Sequence, residues 1–162
     1  MPRYPEHIRG LSYIGFGRYF LTFCTYDRRD HFARSDRVDL VRDQFLRTSL
    51  EQCCDLLAYC FMPDHVHLLV EGVREDADLK RFVKAAKQSS GYYFKRRWQQ
   101  PLWQRYGYEH VLRSEESTAA IARYIVENPV RARLVIEPLD YPHWGSSICS
   151  RQELLEYIGR AA

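Results

Sequence analysis

Two apolar runs joined only by Pro63-Asp64 constrain the fold of this chain more than any other feature. The runs, Leu56–Met62 and His65–Glu71, have the length of β-strands. A Pro-Asp pair between such runs is a typical turn signal, so we predict a β-hairpin at this point.

The rest of the chain alternates strand and helix patterns around this hairpin. Arg18–Tyr26 is rich in aromatic and β-branched residues and is predicted to be a strand, as is the short stretch Glu109–Arg113. Apolar residues at helical spacing predict four helices, which are Ser35–Ser49, Asp78–Arg97, Ser114–Asn128 and Gln152–Ile158. We expect Ser114 to cap the third helix and Pro129 to end it. The order β-α-β-β-α-(β)-α predicts an α+β sandwich, in which helices pack on a mainly antiparallel sheet.

Composition narrows the class of protein further. A chain of 162 residues with 46% apolar residues is expected to form one domain, residues 1–162, around a real core. No apolar run approaches the ~18 residues that a transmembrane helix needs, and Met1–Arg9 is not followed by the apolar segment of a signal peptide. Five cysteines without metal-site spacing predict free thiols in a reducing cytoplasm.

Positive charge is concentrated in one segment of the chain. Leu79–Tyr108 holds eight basic residues and no Asp or Glu, whereas the rest of the chain holds 16 basic and 21 acidic residues. Cations that follow phosphates, mixed with flat rings that stack on unpaired bases, are typical of single-stranded nucleic acid binding. A solvated basic helix is the alternative interpretation. The candidate DNA contacts are Lys80, Arg81, Lys84, Lys87, Lys95, Arg96, Arg97, Trp98, Trp103, Arg105 and His110.

The sharpest local motif is His65-Val66-His67 within a predicted strand. Side chains two residues apart in a strand point to the same face, so both imidazoles project together. Two convergent imidazoles can share a divalent metal ion. The alternative is a pair of histidines that are hydrogen-bonded on a solvated face.

A second pair, Tyr124 and Asn128, lies four residues apart on one side of the third predicted helix. A phenol is a competent nucleophile toward phosphorus when a metal ion polarises the phosphate. The Asn128 amide oxygen could then complete a metal site with the two histidines. The alternative is a tyrosine at the rim of an apolar face and an asparagine that ends a helix.

Together these residues resemble a known family. The segment Phe61–Val70 resembles the MPNHVHLLV motif of the single-tyrosine HUH transposases. Arg123–Val130, followed by Leu134-Val135, resembles a motif of their REP-associated tyrosine transposase branch, within the insertion-sequence-200-like transposases. Further segments that match are Arg18–Phe23, Leu102–Gln104, Tyr108–His110 and Ser146-Ser147. The resemblance therefore runs from about residue 10 to 147, and residues 148–162 form a short extension beyond it.

The resemblance implies a ferredoxin-like fold and cleavage of single-stranded DNA at hairpin-forming palindromic repeats. Tyr124 would attack the phosphate and form a 5′-phosphotyrosine, and His65, His67 and Asn128 would hold one Mg²⁺ or Mn²⁺ ion. It also implies a bacterial protein associated with the nucleoid, either monomeric or a homodimer that exchanges the Tyr124 helix. Asp64 stands where the motif often carries Asn, and adds negative charge beside the expected metal site.

Two other functions are compatible with the same residues. A protein of this fold could read DNA or RNA hairpins without catalysis. It could also be a metal-dependent phosphodiesterase in which water attacks and Tyr124 has a structural role.

Overall fold

The computed structural model describes residues 13–106, 108–112 and 117–160, with the backbone alone at 108–111. Five strands form one antiparallel sheet; they are β1 (Arg18–Cys24), β2 (Cys54–Met62), β3 (His65–Gly72), β4 (Tyr108–Val111) and β5 (Trp144–Gly145). The helices are α1 (Ser35–Glu51), α2 (Leu79–Trp98), α3 (Thr118–Arg131) and α4 (Arg151–Arg160). The spatial order of the strands is β4-β1-β3-β2-β5. With the connectivity β1-α1-β2-β3-α2-β4, this confirms the predicted ferredoxin-like α+β fold.

The predicted hairpin is confirmed as β2 and β3, whose register brings Met62 opposite His65. Backbone hydrogen bonds from neighbouring segments hold its turn in place. Thr25 N donates to Asp64 O at 3.0 Å, and Phe32 N donates to Pro63 O at 2.9 Å. The turn therefore has a fixed position relative to the end of β1.

Helices cover both faces of the sheet and create two separate cores. The α1–α2 core contains Val41, Phe45, Phe82, Phe94 and, from the sheet, Leu21, Phe23, Val66 and Leu68. The α3–α4 core contains Ile125, Val126, Leu154 and, from the sheet, Cys60 and Leu69. Because side chains alternate along a strand, Val66 and Leu68 face α1 and α2, whereas His65 and His67 face the side of α3.

The third helix differs from its prediction at both ends. It begins at Thr118, and the Ser117 side chain caps it by accepting from Ala120 N at 3.2 Å. The predicted cap, Ser114, lies outside the described residues. The helix does not end before Pro129 but continues to Arg131. Pro129 lacks one backbone donor, but it is buried and only a short distance from the helix end, so the loss is confined to the last turn.

A Schellman motif ends α3 and explains why the helix runs past its proline. Leu134 N donates to Pro129 O at 2.9 Å, and Arg133 N donates to Val130 O at 3.0 Å. Arg133 adopts the required left-handed conformation, with φ of 59°. These bonds satisfy carbonyl groups at the helix end and fix the orientation of its last turn.

Two other expectations concern composition. All five cysteines are free, as predicted. Within the described part of the chain, no helix is long and apolar enough to span a bilayer.

Candidate active site

The two histidines of β3 lie side by side on the sheet face that α3 covers. Their ring centroids are 4.7 Å apart. His67 lies opposite Thr22 of β1, and its Nδ1 is hydrogen-bonded to Thr22 Oγ1 at 2.8 Å. His65 Nδ1 donates to Asp64 Oδ1 at 2.7 Å. Because the Nδ1 atom of each ring has a partner, Nε2 is the nitrogen that each ring can offer to a ligand.

Asp64 is held by charge as well as by its place in the turn. Arg28 Nε donates to Asp64 Oδ2 at 2.9 Å. Burial opposes ionisation of this carboxyl, but hydrogen bonds from His65 and Arg28 outweigh it and lower the pKa of Asp64. Asp27 and Arg28 both have positive φ, 54° and 51°, so the backbone is strained where it directs Arg28 toward Asp64.

His67 is a neutral imidazole near pH 7. Its side chain is buried, with the residue only 7% exposed. Burial, together with the positive charges that His65 and Arg131 can carry, lowers the pKa of His67 to about 3. A neutral ring with a free nitrogen can bind a cation, but a group of such low pKa is a weak base.

The Tyr124 phenol reaches the same place from α3. Ala122 and Ile125 are buried on the core side of this helix, and Tyr124 lies at the border of that face, 45% exposed. Its ring centroid is 5.9 Å from the His67 ring and 5.9 Å from the Phe20 ring, with edge-on geometry in each case. The structure therefore brings together three of the predicted site residues: His65, His67 and Tyr124.

Asn128 follows Tyr124 by one turn of α3 and is partly buried. It lies inside the helix rather than at its end, which removes the interpretation of a helix-ending asparagine. Among the described residues, no group of three or more His, Cys, Asp or Glu side chains could hold a metal ion. A metal site at His65 and His67 therefore needs a ligand of another type, such as the Asn128 amide.

Arg131 is a site residue that sequence reasoning missed. Its guanidinium carbon lies 4.1 Å from the centroid of the Tyr124 ring. It also donates to the Tyr124 backbone carbonyl and lies 3.8 Å from Glu127 Oε2. The spacing of seven residues, two helical turns, is the sequence signal that could have identified it.

The basic residues of α2 lie on the opposite side of the sheet from Tyr124. Within the described part of the chain, none of the following makes an ion pair with an acidic side chain, and all are exposed: Lys80, Arg81, Lys84, Lys95, Arg96 and Arg97. Lys87 differs, because it is partly buried, lies 5.1 Å from the Phe23 ring and donates to Gln104 O at 3.3 Å. These six exposed residues thus form an outward basic face on α2 that is separate from the histidine–tyrosine site.

Trp103 is placed differently from its predicted role as a base-stacking ring. It is partly buried in the α1–α2 core, stacked on Phe45 at 5.9 Å, and its Nε1 donates to Ser90 Oγ at 2.9 Å. Phe23 of β1 and Phe45 of α1 pack against this ring, so it contacts protein in the core. Trp98 is partly buried, and the guanidinium carbons of Arg37 and Arg97 lie 5.3 and 4.9 Å from its ring centroid.

Of the remaining predicted contacts, Arg105 is exposed on the loop that precedes β4. That loop runs beside the end of β1, where Gln104 N donates to Cys24 O at 3.1 Å and Cys24 lies opposite His65. Arg105 is therefore at the His65 end of the sheet. His110 belongs to β4, but its side chain lies outside the described residues.

Comparison with known proteins decides the family. The model of the IS200-like transposase family matches residues 17–128, a span that contains the two histidines, Tyr124 and Asn128. The chain belongs to this family. A relative from Haemophilus influenzae, described as a candidate REP-associated tyrosine transposase, is 28% identical over a 138-residue alignment, and the match covers 78% of each chain.

Solved structures agree with this family at the level of the fold. A REP-associated tyrosine transposase bound to a REP hairpin has a TM-score of 0.71 and 21% identity, and the match covers 85% of this chain and 80% of that one. A candidate transposase of Deinococcus radiodurans has a TM-score of 0.52 and 26% identity, over 74% and 95% of the two chains.

The same fold is also used for different chemistry. A bacterial tRNA(His) guanylyltransferase-like protein in complex with GTP has a TM-score of 0.52 at 11% identity, over 91% of this chain and 92% of that one. The fold of this IS200-like transposase therefore cannot by itself assign a reaction, which has to be argued from its site.

Proposed function

We propose that this IS200-like transposase cleaves and rejoins single-stranded DNA at hairpin-forming palindromic repeats, with Tyr124 as the nucleophile. The observation that carries the proposal is the contact of the exposed Tyr124 ring with His67, 5.9 Å between centroids, beside His65. The hairpin substrate is inferred from the fold relative that is bound to a REP hairpin.

The histidine pair fits a divalent cation. Both Nδ1 atoms are hydrogen-bonded to protein, and the depressed pKa of His67 keeps that ring neutral. Oxygen ligands suit Mg²⁺ or Mn²⁺, and the Asn128 amide is the proposed third ligand, one helical turn from Tyr124. When bound, such an ion would polarise a non-bridging oxygen of the scissile phosphate.

The proposed reaction is a transesterification. The Tyr124 oxygen forms a bond to phosphorus, and the bond from phosphorus to the 3′ oxygen of the preceding nucleotide breaks in line with it. The phenolic proton passes to solvent, and the departing 3′ oxygen takes up a proton. Because the number of phosphoester bonds does not change, a free 3′-OH can reverse the step and rejoin strands without an external energy source.

Different side chains of the protein orient the histidines and place the phenol for this step. Asp64 and Thr22 orient the histidines through their Nδ1 atoms, and α3 presents the phenol to the same space. His67 Nδ1 is bonded to Thr22 and its Nε2 would hold the ion, so we assign His67 to metal binding and not to proton transfer.

DNA binding is assigned to a different face of the molecule. The exposed cations of α2 would contact phosphates, while Tyr124 acts on the opposite side of the sheet. Arg105, at the His65 end of the sheet, would lie between the two regions. Binding and cleavage should therefore be separable by mutation.

The test is a denaturing gel with end-labelled hairpin DNA, drawn from palindromic repeats that flank the gene, in Mn²⁺ or Mg²⁺ and with EDTA controls. Wild type is compared with Tyr124→Phe, which removes one oxygen. Tyr157→Phe is the matched control, because Tyr157 is similarly exposed (48%) but lies on α4. Hairpin binding is measured in parallel for all three proteins.

The proposal requires a metal-dependent, SDS-resistant adduct that is present in wild type and Tyr157→Phe and absent in Tyr124→Phe, with binding retained in all. Cleavage without an adduct would instead indicate a phosphodiesterase in which water attacks. Tight binding without cleavage of any hairpin would indicate a non-catalytic hairpin reader.

A further inference from the structure

We infer that Arg131 is a positioning residue for the Tyr124 nucleophile, an inference that rests on the proposed function. Its guanidinium caps one face of the Tyr124 ring and fixes the direction in which the phenol oxygen points. Arg131 lies beyond residue 128, where the match to the IS200-like family ends.

The end of α3 puts Arg131 in a position to do this. Side chains on a helix lean toward its N-terminus, so a long side chain seven residues after Tyr124 extends back along the same face. The helix would not reach Arg131 if it stopped at Pro129. The Schellman bonds from Leu134 and Arg133 hold the last turn helical and thus fix the origin of the arginine side chain.

Three contacts restrain the guanidinium over the ring. Its carbon is 4.1 Å from the Tyr124 centroid, it donates to the Tyr124 backbone carbonyl, and Glu127 Oε2 lies 3.8 Å from its NH1 atom. Phe20 and His67 contact the same ring edge-on at 5.9 Å. The Tyr124 ring is therefore contacted by three different side chains, although the residue is 45% exposed.

The restraint has a chemical consequence. In-line attack requires the nucleophile to stand at a defined angle and distance from phosphorus, and a misplacement of about 1 Å can cost on the order of 100-fold in rate. The positive charge also lies over the ring of the proposed nucleophile, where it would stabilise the negative charge that develops as the phenol loses its proton. Both effects act on the chemical step and leave the DNA-binding face of α2 untouched.

The experiment measures single-turnover adduct formation over a range of hairpin DNA concentrations with Mn²⁺. Arg131→Gln removes the charge and the stacking, and Arg131→Lys keeps the charge on a side chain that cannot stack as a plane. Arg133→Gln is the matched control, because it removes one exposed charge two residues away and nothing in the described structure joins that side chain to Tyr124. The Schellman bond of Arg133 is made by its backbone N–H, which glutamine keeps.

We expect Arg131→Gln to lower the rate at saturating DNA on the order of 10- to 100-fold, while the half-saturating DNA concentration changes less than about twofold. Arg131→Lys should recover part of the rate, and Arg133→Gln should stay within about twofold of wild type. A wild-type rate in Arg131→Gln would overturn the inference. So would an equal loss in Arg133→Gln, or a loss confined to the half-saturating concentration.

A second measurement keeps the inference independent of activity. Tyr124 is replaced by 3-fluorotyrosine, and the ¹⁹F spectrum is recorded for the folded chain with the native Arg131 and for its Arg131→Lys and Arg131→Gln variants. We expect a narrow line for the native chain, a line close to it for Arg131→Lys, and a shifted or broadened line for Arg131→Gln. An unchanged line in Arg131→Gln overturns the positioning role, even if wild type forms no adduct and the proposed function itself fails.

Discussion

We expect the fold to lose stability in acid because of His67. Protonation would place a positive charge on a buried ring, and burial disfavours the charged form. The pKa of His67 is about 3 in the folded protein and near its ordinary value of 6.5 in the unfolded chain. Between these pH values the unfolded state binds the additional proton. The stability that neutral His67 contributes is therefore complete above about pH 6.5 and is lost as the pH falls toward 3.

The magnitude follows from the size of the shift. Each unit of pKa difference corresponds to about 1.4 kcal/mol, so the full shift corresponds to about 5 kcal/mol, a large part of a typical domain stability of about 5–15 kcal/mol. The residue is 7% exposed, so solvent screening is small. By about pH 4.5 the loss attributable to His67 should be about 2–3 kcal/mol.

The assay is urea unfolding of wild type and His67→Gln in EDTA at about pH 7.0, 5.5 and 4.5. Glutamine can still bond to Thr22 but does not titrate. We expect the wild type to lose about 2–3 kcal/mol more than His67→Gln between the highest and the lowest of these pH values. Stability curves for the two proteins that stay parallel within about 0.5 kcal/mol would refute the reasoning that His67 is buried as a neutral ring.

Three further results are expected. Trp103→Ala should lower the free energy of unfolding by about 3 kcal/mol or more, because it removes a ring packed on Phe45; a loss below about 1 kcal/mol in urea unfolding would contradict its place in the core. If DNA binding contacts about four to six phosphates, log K for hairpin binding should fall with log salt at a slope of about −3 to −4. Arg96→Gln should reduce the magnitude of that slope by about 0.7. A flat salt response would show that the basic face of α2 is not the DNA-binding surface. Asp64→Asn keeps an acceptor for His65 but loses the negative charge. The Mn²⁺ concentration for half-maximal cleavage should therefore rise by up to about tenfold. An unchanged concentration would show that the Asp64 charge does not strengthen metal binding.

Local patterns predicted most of the elements because those elements carry their own signals. The β2–β3 hairpin follows from two apolar runs and a Pro-Asp turn, and α2 follows from apolar residues at helical spacing. The ends of α3 were predicted less well. Proline normally ends a helix, but here a left-handed Arg133 closes the last turn beyond it, and no short sequence rule anticipates that arrangement.

The candidate site was predictable in part for the same reason. Strand alternation places His65 and His67 on one face whatever the rest of the fold. The contact of Tyr124 with His67 depends on which sheet face α3 covers, and that is settled only by tertiary packing. Thr22 became a partner of His67 through the β1–β3 register, which the sequence does not encode locally.

The basic segment shows the limit of composition. Charge counting found one cationic stretch and could not tell that α2 lies on the far side of the sheet from Tyr124. It also placed Trp103 among the candidate DNA contacts, although this ring packs against Phe23 and Phe45 in the core. Position along the chain was therefore a poor guide to position on the surface.

The central claim is that Tyr124 becomes covalently joined to DNA, and peptide mapping of the adduct tests it most directly. Trypsin cleaves after Arg123 and Arg131, so the nucleophile lies on the peptide Tyr124–Arg131, in which it is the only tyrosine. Wild-type protein reacted with hairpin DNA and Mn²⁺ would be treated with nuclease and trypsin and analysed by mass spectrometry. We predict a nucleotide phosphate on this peptide at Tyr124, and its presence on any other tyrosine would contradict the account.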